Sequence, residues 1–67
     1  MEMSTNQYRH GTVEYKQKQK VIEVQMRGFT DVESIKEAKY LIRFAYTREG
    51  IPLRYTWMGE MIRVLPA

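Results

Sequence analysis

The stretch 12-TVEYKQKQKVIEVQMR-27 sets the number of strands in the chain. Val13 and Tyr15 alternate with Thr12, Glu14 and Lys16. Ile22, Val24 and Met26 alternate with Val21, Glu23, Gln25 and Arg27. A period of two is the mark of a strand with one buried face. A loop from Gln17 to Lys20 pairs Lys16 with Val21, Tyr15 with Ile22 and Val13 with Val24. The apolar residues then share one face, and Glu14 stands opposite Glu23 as a mild repulsion. The pattern predicts a hairpin over residues 12–27, ahead of Gly28-Phe29. On the other side of it, Met1 to Gly11 has no period and is rich in Ser, Thr, Asn and Gln, which predicts a flexible arm over residues 1–11.

Beyond Phe29 the period changes. Thr30-Asp31-Val32-Glu33 fits the S/T-x-x-E capping box, in which hydroxyl and carboxylate satisfy backbone donors reciprocally. At about 100° per residue, Val32, Ile35, Ala38, Leu41, Ile42, Ala45 and Tyr46 fall on one arc. Glu33, Lys36, Glu37, Tyr40, Arg43, Thr47 and Arg48 fall on the other. A helix from Asp31 to Arg48 is predicted, ended by Gly50 with Pro52 just beyond. Ile51, Leu53, Tyr55 and Trp57 then alternate with Pro52, Arg54 and Thr56. Met58-Gly59-Glu60-Met61 supplies a two-residue turn with glycine first, as a type II′ hairpin requires. Pairing Met58 with Met61 sets Trp57 against Ile62, Thr56 against Arg63 and Tyr55 against Val64. Leu53, Tyr55, Trp57, Ile62 and Val64 share the predicted core face.

Strand, strand, helix, strand, strand is an α+β order. Its economical solution is ββαββ, a four-stranded antiparallel sheet with one helix packed on one face, over a single small domain of residues 12–67. With 67 residues the chain is one domain. A domain of that size buries only about 60% of its unfolded surface, which leaves a thin core and no room for an enclosed pocket. No small-molecule substrate is therefore expected. The chain has no cysteine, so disulfides and thiolate metal sites are excluded. The only histidine, His10, has no second histidine or cysteine to join it around a metal and no orienting partner for general-base work. No phosphate-loop, dinucleotide or nucleophile-elbow motif occurs. No enzyme, cofactor or metal is expected. No apolar run approaches a membrane span and the first 20 residues lack a signal-peptide core, so a cytoplasmic protein without membrane contact is expected.

The net charge is +3. Residues 1–20 carry four bases and two acids, residues 21–50 five of each, and residues 51–67 two and one. Three basic features stand out: Lys36, Lys39 and Arg43 along one edge of the helix; Lys16, Lys18 and Lys20 in the predicted loop; and the outer sheet face, which mixes Arg54 and Arg63 with Met58, Met61 and Leu65. Neutralising phosphates releases counterions, so the first two suit a nucleic-acid backbone. Tyr40 and Phe44 form an i, i+4 aromatic pair beside Arg43 on the polar arc, the kind of anchor that protein partners use. Thr47-Arg48-Glu49-Gly50-Ile51-Pro52 followed by a hairpin resembles the passage from helix to wing in excisionase-type winged-helix regulators. Those domains place two short helices and a turn before the wing, whereas residues 31–48 form one amphipathic pattern. The first expectation for function is a small interaction module, such as an inhibitor, adaptor or self-associating subunit, using Tyr40, Phe44 and Arg43 or the outer sheet face. A protein partner or a second copy is its expected occupant. The alternative is a basic nucleic-acid-binding regulator using Lys36, Lys39 and Arg43 with Lys16, Lys18 and Lys20.

Overall fold

The computed structural model describes residues 9–67, with side chains from residue 14 onward. The order is α1 (Arg9–Arg27), β1 (Thr30–Val32), α2 (Ile35–Glu49), β2 (Leu53–Met58) and β3 (Met61–Pro66). The class is α+β, but the expected four-stranded sheet with a single helix is not what forms. Two helices pack with a three-stranded antiparallel sheet of order β1-β3-β2. Of the segment 1–11 expected to be an arm, residues 9–11 begin α1 and residues 1–8 lie outside the described part.

The correction comes from residues 12–27. No Gly, Pro, Asn or Asp lies between Thr12 and Arg27, so the supposed loop Gln17 to Lys20 has no turn residue. Gln and Lys are good helix formers instead. Gln17, Val21 and Val24 are buried, the i, i+4, i+7 set of one helical face. Met26, the last residue of the supposed strand face, is 81% exposed. The helix also separates Glu14 from Glu23, which the hairpin would have opposed. Gly28 ends it at φ +93°, with its N–H donating to the Val24 carbonyl at 2.8 Å.

The helix expected from Asp31 begins four residues later. Thr30, Asp31 and Val32 form β1 instead, opposite Val64, Arg63 and Ile62. Thr30 does not cap a helix; its hydroxyl donates to Glu23 Oε1 of α1 at 2.7 Å. The cap is Ser34, which opens a second S-x-x-E sequence. Ser34 Oγ accepts from the Glu37 N–H at 3.1 Å, and Glu37 Oε1 accepts from the Glu33 N–H at 3.0 Å. Two backbone donors at this end of the helix, those of Glu33 and Glu37, are thereby satisfied. The far end is as expected. Gly50 is left-handed (φ 69°, ψ 23°), and Gly50 and Ile51 donate to the Tyr46 and Ala45 carbonyls, each at 3.1 Å.

The C-terminal hairpin has the expected register throughout, from Met58 opposite Met61 to Tyr55 opposite Val64 and on to Leu53 opposite Pro66. Gly59 has φ +64° and Glu60 does not share the positive sign, as a type II′ turn requires. Both helices cover one face of the sheet. On that face Thr30, Val32, Ile62 and Val64 are buried with Leu41, Ala38 and Ala45 of α2 and Val21 and Val24 of α1. Coverage fails towards the hairpin tip of β2: Leu53 is 7% exposed, Tyr55 half-buried and Trp57 61% exposed. Trp57 has the parity of a core residue without being one.

Candidate nucleic-acid interface

The packing of α2 fixes its faces. Ala38, Leu41 and Ala45 point into the core, and Phe44 closes one flank at 8% exposure. The outward arc carries Lys36, Lys39, Tyr40, Arg43, Tyr46 and Thr47, all exposed. It contains three cations, two tyrosines and a threonine, and no acid. The acids of α2 are engaged away from that arc. Glu37 serves the N-terminal cap. Glu49 accepts from Lys18 Nζ of α1 at 2.8 Å. Among the described residues, none of Lys36, Lys39 and Arg43 is held in an ion pair. All three are exposed to solvent.

Glu14, Glu23 and Asp31 are matched elsewhere. Glu14 pairs with Arg48 at 2.6 Å, and Arg48 also lies over the Phe44 ring with 5.5 Å to its centroid. Glu23 takes the Thr30 hydroxyl and Arg27 Nη1 at 2.6 Å. The Thr30 hydrogen bond, aided by Arg27, holds the Glu23 carboxyl below its ordinary range, against the opposing effect of burial. Asp31 takes both Arg63 nitrogens, Nε at 2.9 Å and Nη2 at 3.2 Å. That bidentate contact lowers its carboxyl likewise. Arg63 in turn stacks on Phe29 at 3.9 Å, and Arg27 lies over the same ring at 4.7 Å. The Glu14–Arg48 pair joins α1 to α2, and the contacts of Glu23, Asp31 and Phe29 tie α1, β1 and β3 together.

Lys36, Lys39 and Arg43 thus share one surface, as the spacing i, i+3, i+7 implies. Lys16, Lys18 and Lys20 do not. On a helix a two-residue step turns the side chain by about 200°, so Lys18 faces the flank opposite Lys16 and Lys20. Lys18 is also committed to Glu49. The Tyr40 and Phe44 pair divides: Tyr40 is 45% exposed beside Arg43, whereas Phe44 is buried. Tyr46, 64% exposed, belongs to the outward arc, although the sequence pattern placed it with the core. Ile35 and Ile42 beside it are only half-buried, so α2 is rolled towards Leu41 and Phe44 and away from Tyr46. Arg54, Thr56, Met58, Met61, Arg63 and Leu65 do share the sheet face away from the helices. Among the described residues no group of acids and histidines is placed to hold a metal ion, and no helix is long and apolar enough to cross a membrane. No protein family, no characterised protein and no solved structure matches the chain.

Proposed function

We propose that this chain is a small nucleic-acid-binding protein that lays the outward face of α2 into the major groove of duplex DNA. The observation that carries the reading is the composition of that face: Lys36, Lys39 and Arg43 outside any ion pair among the described residues, Tyr40, Tyr46 and Thr47 between them, and no carboxylate. A B-form major groove admits one α-helix, and its walls are phosphates. Cations at the rim of such a helix neutralise phosphates, while hydroxyls and aromatic edges reach the bases. The alternative reading, a protein anchor built on Tyr40, Phe44 and Arg43, has less support because Phe44 lies in the core and cannot enter a partner's pocket. An acid-free cationic face also suits a polyanion better than the mixed-charge rim of an ordinary protein surface.

The test is fluorescence anisotropy of labelled duplex DNA over a series of salt concentrations. The logarithm of the binding constant should fall linearly with the logarithm of salt. Replacing Lys36, Lys39 and Arg43 together by Ala should reduce the slope by about 0.9 for each phosphate no longer neutralised, roughly 2.7 for all three. All three positions are exposed, so the variant should unfold with the parent's midpoint. No binding at the lowest salt, or an unchanged slope in the triple variant, refutes the reading.

A further inference from the structure

The free edge of β2 is built to pair with itself, and we propose that two copies of this chain join there in one continuous six-stranded sheet. The inference is independent of the nucleic-acid reading. Among the described residues β2 is an edge strand, hydrogen-bonded on one side only, to β3. Met58 and Met61 close a two-residue turn and so form a hydrogen-bonded pair. Antiparallel pairing alternates hydrogen-bonded and non-bonded pairs. Thr56 and Arg54 therefore bond to β3, while Leu53, Tyr55 and Trp57 turn their N–H and C=O groups to the open edge. The same alternation predicts a bond at Pro52, and the Ala67 N–H donates to the Pro52 carbonyl at 3.0 Å.

A two-fold axis through Tyr55 satisfies this edge completely. Tyr55 then pairs with Tyr55 of the second copy, and Leu53 pairs with Trp57 on either side. All three outward N–H groups and all three outward carbonyls of each edge find partners. Shifting the centre to Thr56 leaves outward groups unmatched, because Thr56 points its own groups to β3. The side chains agree with the Tyr55 register. On the helix-covered face, exposed Trp57 gains Leu53 of the second copy as its cross-strand neighbour. On the open face, Arg54 meets Thr56, so no like charges stand directly opposite. The two sheet edges also differ in protection. β1 is only three residues long. β2 has six residues, an uninterrupted register, no lysine, no proline and a single charge. Edge strands that must stay single usually carry such interruptions.

The chain has no cysteine, so introduced thiols report the register directly. Arg54 and the second copy's Thr56 would be a non-hydrogen-bonded pair, with Cα atoms about 4.5 Å apart, inside the range a disulfide needs. Thr56 and the second copy's Thr56 would be diagonal, at about 7–8 Å, outside it. Arg54→Cys and Thr56→Cys, both on the open face, are prepared separately and mixed in a glutathione redox buffer. The mixture should accumulate a disulfide-linked heterodimer at least tenfold faster than either variant alone. Sedimentation equilibrium of the unaltered chain should show a concentration-dependent mass rising to twice that of one chain. A mass that stays at one chain up to the solubility limit overturns the proposal, whatever the variants do. A mixture that cross-links no faster than the separate variants overturns it as well.

Discussion

Replacing Gly50 by L-alanine and by D-alanine should move stability in opposite directions. Gly50 holds φ 69° and ψ 23° at the end of α2. A Cβ placed on it would meet nothing within 4 Å, so any effect is conformational and not steric. An L-residue in the left-handed region sacrifices roughly 1–2 kcal/mol relative to its preferred conformations. Gly50→Ala should therefore destabilise the chain by about 1–2 kcal/mol. For a domain of this size, whose total stability is about 3–10 kcal/mol at roughly 0.05–0.15 kcal/mol per residue, that is a large share. The corresponding fall in Tm is about 4–8 °C per kcal/mol. D-alanine prefers positive φ and restricts the unfolded chain, so it should stabilise by about 0.4–1 kcal/mol. Both proteins are accessible by total chemical synthesis. The assay is urea unfolding followed by far-ultraviolet circular dichroism, with the midpoint shifting and the m-value unchanged. If L-alanine is neutral, or if D-alanine destabilises as much as L-alanine, the conformational account of this junction is wrong.

The remaining predictions use the same unfolding assay. Leu41, fully buried between α1, α2 and the sheet, should cost about 2–5 kcal/mol as Leu41→Ala, enough to leave much of the chain unfolded at 37 °C; a loss below about 1 kcal/mol would contradict the packing described. Gln17 is 8% exposed and its Oε1 has no hydrogen-bond partner among the described residues. Gln17→Met, similar in length and free of the amide, should stabilise by on the order of 1 kcal/mol, and a loss of that size would mean that the amide oxygen is satisfied after all. The carboxyls of Glu23 and Asp31 both titrate below their ordinary values in the folded chain. Their contribution is complete above the unfolded value of about 4 and is lost as pH falls through the lower folded values. Asp31→Asn should flatten the fall in urea midpoint below about pH 4, and an unaltered acid profile would exclude the Asp31–Arg63 contact as its source.

The legible parts of the sequence are those where two independent local signals agree. Around Gly59, a turn that demands glycine and two alternating strands give one register, and every pairing follows. At Gly50, the last helical residues, the glycine and Pro52 point to one stopping place. Residues 12–27 are ambiguous because Val24 satisfies both periods: it is alternate with Ile22 and Met26, and also i+7 from Gln17. The absence of a turn residue favours the helix, but a buried glutamine at the centre of the helical face conceals it. Thr30-Asp31-Val32 is a different case. As a local sequence it reads as a helix start, and Ser34-x-x-Glu37 repeats that signal four residues later. The choice belongs to β3, whose second edge needs a strand, and to Arg63, whose guanidinium needs Asp31. Such long-range demands leave no local mark. For the candidate interface, the Lys36, Lys39 and Arg43 stripe is legible from spacing alone. The exposure of Tyr46 and the burial of Phe44 are not, because both depend on how α2 is rolled against the sheet and α1.

The position of β3 has a consequence for the order of folding. It is the central strand of the sheet and follows both of its neighbours in sequence, and β1 and β2 touch it without touching each other. Neither outer strand has an alternative partner among the described residues. During synthesis α1, β1, α2 and β2 therefore emerge with no sheet to join, and the aliphatic faces of both helices wait uncovered. The local β2–β3 hairpin forms on the microsecond scale once β3 is present, and only then does the long-range β1 addition become possible. Closure of the sheet thus waits on β3, and removal of that strand should dissolve the whole sheet at once.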